Sequence, residues 1–98
     1  MPAEILEQAI MERLTLGDVA VCSIPNAAGI EGLLVGVADV GYDDRELLRR
    51  LDDALGRFRV GEFQVVKLPR IPRNANGKIQ RDLLKRAAID AAAKLPAR

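Results

Sequence analysis

The chain has 98 residues, enough for one small domain, and its 49% hydrophobic and 30% charged content is that of a folded globular protein. It has no His and no Trp, one Cys and three aromatic residues, which excludes histidine acid–base chemistry, metal sites built on histidine or cysteine clusters, and an internal disulfide, and leaves base stacking on nucleic acid almost nothing to use. The net charge of +1 gives no general affinity for polyanions. No apolar stretch approaches the ~20 residues that span a bilayer, and the N-terminus lacks the basic-then-apolar order of a signal peptide, so a reducing cytoplasm is the expected compartment.

Residues 1–14 read as a first helix. Pro2 suits the first helical position and Glu4 the positive end of the dipole. Ile5, Leu6, Ala9, Ile10 and Leu14 recur at helical spacing as one broad apolar face. Residues 18–24 read as a strand bounded by Gly17 and Pro25. Cys22 lies in that apolar run and reads as a small buried hydrophobe. A loop with Gly29 leads to a second strand over 33–40, antiparallel to the first, in which Gly36 suggests a bulge.

The clearest helix covers 43–55. Asp43 is its N-cap, with Glu46 three residues on as in a capping box. Leu47, Leu48, Leu51, Ala54 and Leu55 form its buried stripe. Glu46 with Arg50, and Arg49 with Asp53, pair on its wet side, and Gly56 suits the C-cap. A third strand follows over 63–68. A last helix is expected from about 80 to 93, with Leu83, Leu84, Ala87 and Ala91 facing the core and residues 95–98 fraying. The order α-β-β-α-β-α predicts an α+β domain: a small three-stranded sheet flanked by helices.

Between the third strand and the last helix lies a stretch unlike the rest, PRNANGKIQR from Pro72 to Arg81. Pro72 fixes φ and cannot donate to a sheet. Asn74, Asn76 and Gly77 tolerate left-handed backbone and make tight turns. Lys78 stands at the exit, one charge on a long flexible stem, just before a helix. This is not the Walker phosphate loop, because Pro72 replaces its first glycine and Ile79 its Ser or Thr. Residues 67–86 as a whole hold seven basic residues against Asp82 alone, a net +6 that leaves −5 for the remainder. Such a segment is commonly a solvated face. Its sharper reading is a surface that meets an anion such as a nucleotide or CoA.

PRNANGKIQRDLLK resembles the last core motif of the adenylate-forming enzymes, the acyl-CoA synthetases, peptide-synthetase adenylation domains and luciferases, whose C-terminal domain ends in P-R-[TN]-x-[SN]-G-K-[IV]-x-R and a leucine-bearing helix. The family's glycine, lysine and arginine fall on Gly77, Lys78 and Arg81. Upstream, Asp18-Val19-Ala20-Val21 with Ile24-Pro25-Asn26 resembles the family's D-[AV]-A-V-x-G-x-P-[DN], and Pro2-Ala3-Glu4-Ile5 its P-x-E-I-E. The chain departs from the pattern at Leu6, where a second glutamate stands, in the spacing to the next strand, which is about one residue longer, and at Val60-Gly61, near which the family has a proline. The resemblance covers residues 2–84.

The resemblance implies that the whole chain, 1–98, is one mobile C-terminal lid domain, with the hinge and the large N-terminal ATP- and acyl-binding domain absent. Such enzymes join a carboxylate to the α-phosphate of ATP and then pass the acyl group to CoA or a carrier domain. Lys78 is then the catalytic, cofactor-binding residue of the first step, with Gly77, Asn76, Arg81 and Pro72 supporting its loop. Arg81 has a structural role ahead of a phosphate contact. ATP and CoA are the expected cofactors, with Mg held by the absent domain and no ligand bound tightly by this chain alone. The expected partner is that large domain, in cis or in trans; neither nucleic acid nor membrane is expected, and the isolated domain is expected to be a monomer, inactive by itself. The motif leans toward acyl-CoA ligases over peptide synthetases. Two other classes remain at this point: a non-catalytic interaction module or separate subunit that kept the fold, and a small nucleic-acid binder using the basic segment, whose affinity would fall steeply with salt.

Overall fold

The computed structural model describes residues 3–25, 29, 31–58, 60, 63–90 and 94–95. Its elements run α1 (Ala3–Arg13), β1 (Leu16–Pro25), β2 (Glu31–Val40), α2 (Asp44–Gly56), β3 (Phe63–Lys67) and α3 (Arg81–Asp90), the expected α-β-β-α-β-α order. β1 and β2 pair antiparallel in one register, from Leu16 opposite Val40 to Pro25 opposite Glu31. β3 lies parallel to β2, with Val65 opposite Val35; a parallel neighbour requires a crossover, and α2 lies in it.

Alternation along the strands sorts the core into two layers. Val19, Val21, Val35, Val37, Phe63 and Val65 face α1 and α2, meeting Leu6, Ile10, Leu14, Leu47, Leu51, Ala54 and Leu55. Ala20, Cys22, Leu34, Ala38 and Val66 face the other way, under Ile71 and the α3 residues Leu84 and Ala88. Burying a leucine as completely as Leu84 contributes roughly 1.5–3 kcal/mol. Burial also pushes the Cys22 thiol above its ordinary range, which keeps it protonated and inert.

Gly36 lies on the α3 face, and its register opposite Ala20 is regular, so it marks no bulge. A Cβ there would stand 2.7 Å from Leu84 Cδ1. The glycine is a seat for α3, which packs its leucine directly onto the strand backbone.

Several other local expectations are corrected. Ile5 and Leu83 are 47% and 42% exposed, while Ala88 takes the inner place on α3. In each helix the buried arc is narrower than the apolar pattern, because a single sheet face covers it. Asp43 does cap α2, accepting from the Glu46 N–H at 2.8 Å. The Glu46 carboxylate turns instead to Arg49 and Arg50, which hold it below the usual carboxylate range. Asp53 meets Arg13 across the α1–α2 contact at 3.4 Å, while its interaction with Arg49 is a longer-range charge attraction. Gly56 is the last helical residue, followed by Arg57 in the right-handed region, so no left-handed glycine cap forms. Leu95 does not fray: Lys94–Leu95 form a short β4 on the free edge of β3, opposite Val65 and Val66, where unpaired backbone groups offer it partners. The sheet order is therefore β1-β2-β3-β4. The expected helical end at 91–93, and the terminal 96–98, lie outside the described residues.

Replacing Gly36 by Ala forces Leu84 off its seat and is expected to cost about 1–3 kcal/mol, lowering the melting temperature by roughly 4–8 °C for each kcal/mol. Gly56→Ala, which meets nothing within 4 Å, is expected to raise stability by about 0.5 kcal/mol. Thermal denaturation followed by circular dichroism separates the two.

Candidate functional site

The stretch from Pro72 to Arg81 folds back on itself as a small hairpin. Arg73 and Ile79 form an antiparallel bridge, Gln80 N–H donates to Pro72 C=O at 2.9 Å, and Asn74 N–H donates to Lys78 C=O at 2.9 Å. The tip is a β-turn closed by Gly77 N–H donating to Asn74 C=O at 3.0 Å. Gly77 has φ 83°, the left-handed position that follows a turn in a three-residue hairpin loop. Asn74 does not use left-handed backbone; its Oδ1 accepts from the N–H groups of Asn76 and Lys78 at 2.9 and 3.0 Å. Asn76 also has negative φ, and serves the turn as a backbone donor.

Two arginines tie this hairpin to the sheet. Arg73 donates from Nε and Nη2 to the two oxygens of Asp18 on β1, at 2.8 and 2.7 Å, and from Nη1 to the Gly77 carbonyl at 2.7 Å. The guanidinium holds the Asp18 carboxyl below its usual range. Arg81, at the start of α3, donates from Nη1 to Glu7 Oε2 of α1 at 2.8 Å and to the Val21 carbonyl of β1. Glu7 Oε2 also accepts the Val21 N–H at 2.8 Å. Val21 belongs to the outer strand, and both its backbone groups face away from β2. The ion pair supplies the acceptor and donor that a neighbouring strand would have offered. Arg81 thus ties the start of α3 to both α1 and β1.

Lys78 differs from both arginines. It is exposed, and its side chain makes no hydrogen bond or ion pair with a described residue. It borders a concavity of about 450 Å³ with Glu4, Glu7, Arg73 and Arg81. The basic excess of the segment is much reduced by folding, since Lys67, Arg73 and Arg81 pair with Asp44, Asp18 and Glu7. Among the described residues no group of three His, Cys, Asp or Glu side chains is placed to hold a metal, and no helix is long and apolar enough to cross a membrane.

Of the predicted site residues, the structure brings Gly77, Lys78 and Arg81 to this concavity; Pro72 and Asn76 lie at the base and tip of the hairpin, outside its lining. Sequence reasoning missed Asp18 and Glu7. Glu7 had a legible signal: it shares a helical face with Ala3, Ile10 and Leu14, so a carboxylate there must find a donor. Asp18 opens the stretch that resembles D-[AV]-A-V, but nothing local reveals its partner, which is 55 residues away.

No protein-family model matches the chain. A p-hydroxybenzoic acid–AMP ligase of Mycobacterium marinum is 37% identical in a 91-residue alignment that covers 86% of this chain and 12% of that protein. The structure of apo MatB from Rhodopseudomonas palustris superposes with a TM-score of 0.70 at 26% identity, covering 92% of this chain and 18% of that one. A Mycobacterium tuberculosis fatty acyl CoA synthetase gives 0.68 at 22% identity, over 86% and 17%. The fold and the lysine hairpin together define a C-terminal domain of the adenylate-forming kind. This chain belongs to that superfamily, with an acyl-CoA synthetase-like fold, and spans about an eighth of the curated relative it matches.

Two substitutions check the site's construction. Gly77→Ala has open space but the wrong φ, and is expected to cost about 1–2 kcal/mol, with Gly77→Asn milder. For Asp18 the folded pKa lies below the unfolded one, so its contribution is present above the ordinary carboxylate pKa of ~3.9 and is lost as pH falls through the folded value. Asp18→Asn is therefore expected to reduce stability by up to about 1 kcal/mol near neutrality, and the difference from wild type should vanish in acid. Melting curves from pH 7 to pH 2 measure both.

Proposed function

We propose that this chain is the mobile C-terminal domain of an AMP-forming acid–thiol ligase of the acyl-CoA synthetase kind, and that Lys78 serves acyl-adenylate formation from a carboxylic acid and ATP. One observation carries the reading. Of the three cations in the hairpin motif, Arg73 and Arg81 are each engaged by carboxylates of this domain, whereas Lys78 is held out at the exit of the turn with no carboxylate partner among the described residues. A cation kept unpaired on a constrained loop suits an anion brought by another body. The relatives' greater length supports the same reading, since the remainder of such a protein would bring the substrates.

Adenylation brings two anions together, a carboxylate and a triphosphate. An ammonium between them offsets their repulsion and stabilises charge on the transferring oxygens. Lysine suits the task because its charge is compact and its stem flexible, so a moving domain delivers it and withdraws it. Transfer of the acyl group to CoA or to a carrier thiol expels AMP and does not need that cation. The domain by itself is expected to hold no nucleotide tightly, because Glu4 and Glu7 stand in the same concavity as Lys78. Adenine, acyl and Mg binding are assigned to a large N-terminal domain, joined in cis or docking in trans.

The isolated chain is expected to show no ATP–pyrophosphate exchange with any carboxylic acid. In the ligase containing this domain, Lys78→Ala is expected to slow adenylation by on the order of 10²–10³-fold, the effect of losing a preorganised charge donor. Thioester formation from a supplied acyl-adenylate should be nearly unchanged. Arg81→Ala, which leaves the Val21 carbonyl without its donor and Glu7 without its guanidinium, is expected to cost about 1–3 kcal/mol of stability and to lower stability more than it changes the ratio of the two half-reactions. Equal slowing of both half-reactions by Lys78→Ala would refute the assignment.

A further inference from the structure

We propose that Arg73 and Asp18 are positioning residues for Lys78: the guanidinium, braced on the Asp18 carboxylate, fixes the peptide that leads into the lysine. The statement rests on the reading of Lys78 as the cation that meets the substrates.

The Gly77–Lys78 peptide is gripped on both sides. Its N–H donates to Asn74 Oδ1 at 3.0 Å, and its carbonyl accepts from Arg73 Nη1 at 2.7 Å. A peptide is planar, so fixing both polar groups fixes the plane; with the Lys78 carbonyl held by the Asn74 N–H at 2.9 Å, the direction in which the Lys78 side chain leaves the backbone is set. Gly77 itself supplies no such restraint, since glycine moves between left- and right-handed backbone at little cost. The orientation must come from outside the residue.

Arg73 provides it only because it is itself immobilised. Its fork is planar, and two of its donors meet the two Asp18 oxygens at 2.8 and 2.7 Å, which leaves Nη1 aimed at the Gly77 carbonyl. Asp18 is anchored in turn by its place opposite Ala38 in the sheet and by the Val19 N–H, which donates to its Oδ1 at 2.9 Å. The lysine is thus referred to the strand framework through one chain of contacts. The Arg73 and Asp18 side chains are 37% and 31% exposed, and pairs that open to solvent add little net stability. Their consequence is geometric, and small misplacement of a catalytic group is costly in rate.

Lysine at position 73 still meets Asp18 as a point charge but cannot bridge Asp18 and Gly77 as the fork does, so Arg73→Lys isolates positioning from charge pairing. In the 98-residue chain, ¹⁵N relaxation is expected to give order parameters near 0.85 for the Gly77 and Lys78 amides, falling below about 0.6 in both Arg73→Lys and Asp18→Asn. The melting temperature should shift by no more than about 8 °C. In the ligase containing this domain, Arg73→Lys should slow adenylation about 10–100-fold while thioester formation from supplied acyl-adenylate stays near wild type. Undiminished order parameters in both variants, or wild-type adenylation despite a loosened loop, would overturn the proposal. Lys78→Ala is run alongside. If it leaves adenylation untouched, the reading of Lys78 falls and this positioning role falls with it, whereas a lysine effect without an Arg73 effect removes the positioning role alone.

Discussion

The buried Val21 backbone sets the condition that the rest of this domain meets. Its N–H and C=O face away from the sheet at the centre of an outer strand, where the residue is fully buried and no further strand lies alongside among the described residues. One carboxylate and one guanidinium supply what is missing, and they come from helices on opposite faces. Satisfying one residue's hydrogen bonds thus fastens α1 to β1 and α3 to both. A neutral pair would do this less well, since charged partners make shorter and stronger bonds to backbone groups. The same ion pair closes the strand edge to other chains.

The seating of α3 decides where the lysine hairpin lies. Leu84 rests on Gly36, Ile71 and Ile79 pack beneath the motif, and Arg81 turns around the strand edge. The hairpin is consequently bounded by apolar packing on one side and by two arginine anchors on the other. Within it the backbone hydrogen bonds close locally, and Asn74 supplies the one side-chain acceptor at the tip. Among the described residues, the construction leaves Lys78 as the hairpin cation with no carboxylate paired to it.

Much of this was legible in the sequence, and what was not has a common cause. Element order, the Asp43 cap, the α2 stripe and the turn at Gly77 all follow from periodicity or from residues adjacent in the chain. The failures concern distance. Gly36 reads as a bulge until a helix 48 positions later places Leu84 on it. The segment at 67–86 reads as strongly basic until Asp44, Asp18 and Glu7, all from earlier elements, are seen folded against it. Ile5 and Leu83 read as core because spacing reports an apolar face without reporting how wide a neighbour covers it. Charge and burial are properties of contacts between remote segments, and a local pattern carries only half of each.

The division of the core into two layers has a kinetic side. The hairpin and α3 share the smaller layer, and they are tied to β1 across 55 and 60 residues and to α1 across 74. Closing spans of that length is entropically demanding, so these ties belong among the last to form as the domain folds. They are also where partial opening is least expensive, because releasing α3 leaves the α1–α2 layer and its strands intact. The lysine hairpin therefore rests on the smaller of the two layers, at the end of the longest hydrogen-bonded chain separations described for α1 and β1.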